Sequence, residues 1–412
     1  MKKSILSLLC VASLSFAMNL EDGTKAFESK DYKTALKVFE EFSLKGDASA
    51  QNNLGSMYYY GEGVEKDSKK AFVWYEKAAS QGFADAQYNL GVMYYKGEGV
   101  EKNSKKAIEW FEKAASQGLA IAQFSLGLMY DKGEGVKQDK KKAFEWYEKA
   151  ASQGFADAQY ILGIMYDVGE GVKKDIKKAF EWYEKAASQG LAEAQYKLGL
   201  MYDVGEGVEK DSKKAFEWYE KAASQGFADA QYKLGFMYYD GEGVEKNSKK
   251  AIEWYEKAAS QGFAKAQYNL GVMYDKGEGV EKDSKKAIEW YEKAASQGLA
   301  IAQFSLGLMY DKGEGVKQDK KKAFEWYEKA ASQGFADAQY ILGIMYDVGE
   351  GVKKDIKKAF EWYEKAASQG LAEAQYKLGL MYDVGEGVEK DSKKAFEWYE
   401  KAASQGFADA QY

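Results

Sequence analysis

The 412-residue chain contains no histidine, no proline and a single cysteine, and all 59 of its basic residues are lysine. Without histidine there is neither an imidazole base nor an imidazole metal ligand. One cysteine cannot build a disulfide framework or a thiolate cluster. Without arginine there is no bidentate guanidinium clamp for phosphate, carboxylate or guanine. The 65 acidic residues leave a formal net charge of −6, the opposite of the basic stripe that nucleic acid requires. No nucleic-acid partner is expected. A hydrophobic content of 46% is ordinary for a folded chain. Length alone suggests two or three domains, an expectation that repetition overturns.

Residues 1–17 read MKKSILSLLCVASLSFA. Lys2 and Lys3 give a positive start. The apolar stretch from Ile5 to Ala17 is too short for a bilayer core of ~30 Å. Ser15 and Ala17 are small residues at −3 and −1 of a cut after Ala17. This is the pattern of a Sec-type signal peptide, which predicts an exported protein, periplasmic or secreted. The lone Cys10 lies inside it. Leu9 stands where lipidation requires a small residue, so a lipid anchor is not expected. The mature chain would lack cysteine and carry a charge of about −8 once both lysines are lost. No later apolar run is long enough to span a membrane.

From residue 48 one unit is copied. Leu-Gly-x-Met-Tyr begins at Leu54, Leu90, Leu126, Leu162, Leu198, Leu234, Leu270, Leu306, Leu342 and Leu378, always 36 residues apart. A fixed period of this size signals a solenoid. In the unit from Ala84, Ala86, Leu90, Met93 and Tyr94 form one helical stripe. Gly97 suits the left-handed end of that helix. Asn103, with Asp67 and Asp211 at the same place in other units, fits the N-cap of a second helix. Ala107, Ile108, Phe111, Ala114 and Ala115 predict its buried face, and Gly118 its end. Trp110 shares that face and is expected in the core. Lys105, Glu109 and Lys113 lie at i, i+4 steps on the outer face. Helices this short are marginal alone, so neighbouring units must stack. Gly91 is mid-helix, where glycine costs about 1 kcal/mol against alanine, so its recurrence predicts close helix–helix approach.

The unit from Ala194 carries Leu198-Gly199, Met201-Tyr202, Gly205-Glu206-Gly207-Val208, Asp211, Lys214-Ala215, Trp218-Tyr219, Lys221-Ala222-Ala223 and Gly226. This resembles the Sel-one-like repeat (SLR), a relative of the tetratricopeptide repeat, over about residues 48–412. The resemblance implies an all-α fold, a right-handed α-solenoid superhelix of antiparallel helix pairs. It also implies a protein-binding scaffold that works as a monomer, with no cofactor. Residues 18–47 lack the Gly-Glu-Gly-Val loop and resemble a plain tetratricopeptide hairpin, expected to be the N-terminal cap. Residues 112–232 recur identically as 292–412, five units later. Such identity suggests a recent block duplication. The chain stops at Tyr412, early in a further first helix, and is expected to be a truncated fragment.

Enzymatic signatures are sparse. Gly-Glu-Gly recurs in every unit but follows a helix and lacks the GxxxxGK[ST] continuation of a phosphate loop. Asp203-Val204-Gly205-Glu206 lacks the alternating ligands and distal glutamate of a calcium loop. A Cys-rich secreted SLR branch includes members labelled as penicillin-binding proteins or β-lactamases, which makes that activity the alternative to a scaffold. The branch's paired cysteines are absent; Ala115 and Ala122 stand near where they would fall. A serine β-lactamase needs Ser-x-x-Lys, and no serine here has lysine at +3. Ser68, Ser104 and Ser212 are followed by Lys-Lys-Ala. No catalytic residue is assigned.

Divergence between units concentrates at four first-helix positions, represented by Asp85, Asn89, Val92 and Lys96. Position 89 varies through Ser125, Ile161, Lys197, Lys233 and Ile341. Position 96 varies through Lys132, Val168, Val204, Asp240 and Val348. At about 100° per residue these positions span about 60° of the helix, centred about 115° from the Ala86/Leu90/Met93/Tyr94 face. In the SLR family the first helices line the concave side, so the resemblance places the stripe in the groove. Drift on a wet face and a diversified surface for a protein or peptide both fit. Ile161, Val168, Ile341 and Val348, apolar on a wet face, favour a contact patch. Changing Ile161 and Val168 to serine is then expected to weaken binding while leaving stability almost unchanged.

Overall fold

The computed structural model describes residues 19–407, which form 22 α-helices and, among the described residues, no strand. The signal-peptide reading and residues 408–412 lie outside the described residues. The chain divides into two compact units, residues 1–191 and 192–412.

In the first unit, α1 (Leu20–Glu28) and α2 (Tyr32–Leu44) form a hairpin closed by three residues. The α1 N-terminus is a reciprocal capping box. The Asp22 N–H donates to Asn19 Oδ1 at 2.9 Å and the Asn19 N–H to Asp22 Oδ2 at 2.8 Å. Four repeats follow: α3 (Ala48–Tyr60) with α4 (Ser68–Ser80), α5 (Ala84–Lys96) with α6 (Ser104–Ser116), α7 (Ala120–Lys132) with α8 (Lys140–Ser152), and α9 (Ala156–Val168) with α10 (Ile176–Ser188). The second unit holds six more pairs, from α11 (Ala192–Val204) with α12 (Ser212–Ser224) to α21 (Ala372–Val384) with α22 (Ser392–Ser404). Within each unit, every odd helix packs on the even helix after it, and that one on the next odd helix. Each unit is an all-α solenoid.

The local signals act as the sequence predicts. Gly97 closes α5 at φ 77°, ψ 32°, its N–H donating to the Met93 carbonyl at 2.8 Å. Asn103 caps α6 by accepting from the Lys106 N–H at 3.0 Å. Ala86, Leu90, Met93, Ala107 and Ala114 are fully buried. A Cβ on Gly91 would lie 2.6 Å from Phe111 Cε1, so the absent side chain is what lets α5 and α6 approach.

Two features depart from expectation. Trp110 is half-buried at the edge of the core rather than within it. Phe111 takes the centre, flanked by Ala107 and Ala114 at i−4 and i+3, and this leaves Trp110 at the rim of the stripe. Lys113 lies over the Trp110 ring at 3.7 Å, and every repeat has the same stack at 3.7 to 4.0 Å. The outer-face lysine serves a cation–π contact of about 0.5–1 kcal/mol. The second feature is a buried glutamine. Gln87 Nε2 donates to the Ala79 carbonyl of the preceding even helix at 3.3 Å, while its Oε1 accepts from Gln117 Nε2 at 2.7 Å. One polar side chain thus ties three helices, and the pattern recurs as Gln123 with Ala115 and Gln153 and as Gln231 with Ala223 and Gln261.

Candidate functional site

The divergent stripe runs along the odd helices. In the first unit, seven of its residues meet at one cavity of about 350 Å³: Tyr60 from α3, Asn89, Val92 and Lys96 from α5, and Ser125, Leu128 and Lys132 from α7. Tyr59, Tyr75, Tyr88, Tyr95 and Phe111 build the aromatic wall. Asn89 Nδ2 donates to Asn52 Oδ1 at 3.0 Å, Lys96 Nζ to the Tyr59 hydroxyl at 3.3 Å, and Ser125 Oγ to the Ile121 carbonyl at 2.9 Å. Lys96 and Lys132 are exposed, and neither makes an ion pair among the described residues.

The other stripe residues lie elsewhere. Val168 is 60% exposed, but Ile161 is half-buried against the cluster that contains Tyr147, Leu162 and Met165. In the second unit Val348 is 59% exposed, while Ile341 packs against buried core. The expectation that serine at Ile161 leaves stability almost unchanged is therefore corrected: the side chain covers core. Lys197 is half-buried and Val204 exposed. Lys233 is engaged by Asp203, Nζ to Oδ2 2.9 Å, and Asp240 is exposed. A smaller cavity of about 180 Å³ sits among α13 (Ala228–Asp240), α14 (Ser248–Ser260) and α15 (Ala264–Lys276), lined by Phe236, Tyr239, Tyr255, Tyr268 and Asn269. Neither Lys233 nor Asp240 lines it.

Both cavities open where a fifth position, unremarked in the sequence, carries tyrosine. This position holds Tyr59, Tyr95 and Tyr239, and aspartate in the other seven repeats. The aspartates turn inward. Asp203 accepts from the buried Tyr219 hydroxyl at 3.1 Å, and Asp131 pairs with Lys140 at 2.8 Å. The tyrosines turn toward the next repeat. The Tyr239 hydroxyl donates to Glu278 Oε2 at 2.6 Å. Tyr59 stands beside Glu98 and Tyr95 beside Glu134 in the same sense.

The glutamate of the Gly-Glu-Gly loop is thus a clasp to the preceding helix pair in seven of the ten repeats, and several side chains hold it. Glu62 accepts from the Tyr32 hydroxyl, Glu170 and Glu350 pair with Lys140 and Lys320, and Glu242 accepts from Ser212 and pairs with Lys210. Only comparison of residue identities 36 apart, at a position judged unremarkable within a single helix, could have exposed this.

Electrostatics follow the geometry. Burial pushes the phenols of Tyr75, Tyr147 and Tyr219 well above the ordinary tyrosine range. Tyr196 is pushed up to about 12, mainly by burial. Hydrogen bonding to Glu134 and Glu278 raises Tyr95 and Tyr239. All are neutral near neutral pH. No group of three or more acidic or thiol side chains is arranged to hold a metal ion among the described residues. None of the described helices is long and apolar enough to cross a membrane.

Stacked helix pairs, a 36-residue period and a variable stripe on one helix of each pair define an α-solenoid repeat protein. The Sel1 repeat model matches ten consecutive segments from 48–83 to 372–407 without a gap. The chain belongs to the Sel1 repeat family. It is similar to a protective antigen of uropathogenic Escherichia coli that displays an SLR fold, at 37% identity over 91% of this chain and 88% of that one, with a TM-score of 0.68. It is also similar to a Sel1 repeat protein of Oxalobacter formigenes, at 38% identity over 74% and 89%, with a TM-score of 0.61. Comparison with curated protein sequences gives no match.

Proposed function

We propose that the protein is an exported, non-enzymatic scaffold that binds a protein or peptide along the variable stripe of its odd helices. The cavity of about 350 Å³ carries this reading, because seven stripe residues from three successive repeats converge there. Its aromatic wall and few polar groups are the composition of a recognition pocket. Sel1 repeat arrays are suited to protein–protein contact, and constant packing with variable faces lets one scaffold present many surfaces. The start of the chain supports export.

A photo-crosslinking residue at Lys132 in the exported chain tests the reading. A discrete, saturable adduct is expected that disappears when Asn89 and Ser125 are both made bulky, and that a crosslinker at Lys105 on an exposed even-helix face does not give. Equal adducts from both sites would refute it. N-terminal sequencing of the mature protein should begin at Met18.

A further inference from the structure

We infer that the cavity between α3, α5 and α7 takes an acidic peptide segment anchored by one aromatic side chain. This rests on the groove reading above and supplies its chemistry. Tyr59, Tyr75, Tyr88 and Phe111 form a wall that an aromatic ring fills by tilted or edge contacts, each worth more than its area alone. At the rim stand Lys96 and Lys132, exposed and without an ion pair among the described residues, on a chain of net charge −6. The one carboxylate lining the cavity, Glu134, is occupied by Tyr95. Tyr59 and Tyr95 are neutral where seven other repeats place an aspartate. A locally cationic, aromatic cavity on an acidic chain complements an acidic, aromatic ligand.

The inference is tested by isothermal titration calorimetry on the full mature chain with acetyl-Asp-Glu-Phe-Glu-Asp-amide. Saturable one-site binding is expected. Replacing the central phenylalanine by alanine, or all four acids by lysine, is expected to weaken it at least about tenfold, a loss of about 1.4 kcal/mol. Tyr95→Asp and Lys132→Asp should each weaken it to a similar degree, and Lys312→Asp on α17 (Ala300–Lys312) should not. These variants should fold, because each puts in place a residue that the same position carries elsewhere, Asp203 and Asp240. Circular dichroism checks this. Tighter binding of the lysine peptide, strengthened in Tyr95→Asp, would overturn the charge assignment and leave the groove reading standing. No saturable binding, or binding indifferent to Tyr95→Asp and Lys132→Asp, would overturn the inference. The crosslinking experiment decides the groove reading separately.

Discussion

A methyl group added at Gly127 would lie 2.5 Å from both Cδ1 and Cε1 of Tyr147. Ordinary contact begins near 3.4 Å, so about 1 Å must be found, and close-packed cores yield that much only with strain. Tyr147 is 1% exposed and cannot swing aside. Alanine is favoured over glycine in a helix interior by about 1 kcal/mol. Overpacking a core costs about 1–3 kcal/mol. An overlap of about 1 Å on a fixed ring belongs in the upper part of that range, about 2–3 kcal/mol, so the steric term should win and leave Gly127→Ala less stable by about 1–2 kcal/mol. Native-state hydrogen exchange of α7 and α8 reads this locally, which suits a repeat chain whose parts can open separately. Gly118→Ala is the contrast: nothing lies within 4 Å of its Cβ, but its φ is +91°. Its cost of about 1–2 kcal/mol comes from the left-handed backbone, and shrinking a neighbouring ring should not relieve it. Adding Tyr147→Leu to Gly127→Ala should recover stability, with a coupling of at least about 1 kcal/mol. Unchanged or raised protection in Gly127→Ala, or strict additivity with Tyr147→Leu, would refute the close-approach argument.

Gln123→Leu strands the Gln153 amide and takes one of the donors from the Ala115 carbonyl, which keeps the Gly118 N–H at 3.0 Å, and urea unfolding should show a loss of about 1–2 kcal/mol. Ile161→Ser should cost about 1–2 kcal/mol and Val168→Ser less than about 0.5 kcal/mol in the same assay; equal effects would mean that the two share one environment. Melting temperature should vary little between about pH 6 and 9, because the chain has no histidine to titrate. Above about pH 10 it should fall. The folded state holds the Tyr196 proton up to about 12, while the unfolded chain releases it near the ordinary value of about 10. Stability from such phenols is whole below the unfolded value and is lost as pH rises toward the folded one. A melting temperature that rises through this range would contradict the buried, protonated state.

Most of the fold could be read from one unit of sequence. Ala86, Leu90, Met93, Gly97 and Asn103 act within a helix or at its end, where spacing of 3, 4 or 7 residues carries the signal. Gln87 could not be read this way. It is polar, and only its partners 8 residues before and 30 after make it a core residue. For Trp110, periodicity assigns the face but not its edge. At the candidate site the stripe was legible, since copies disagree there. Its two halves were not. Position 96 stays outside, while Ile161 and Ile341 at position 89 turn partly into the core. The Tyr/Asp alternation is silent within one unit because its meaning lies in a glutamate 39 residues from the tyrosine, in the next repeat.

That glutamate has a consequence for how such a chain evolves. Every repeat carries the same carboxylate, and in seven of the ten the preceding helix pair grips it with tyrosine, lysine or serine. The fitting is constant while the grip varies. Units can then be duplicated, deleted or reordered without adjusting the junction, and residues 112–232 recurring as 292–412 are what such shuffling leaves behind. Repeat number is therefore open to change by recombination, and with it the length of surface on display, at little cost to foldability.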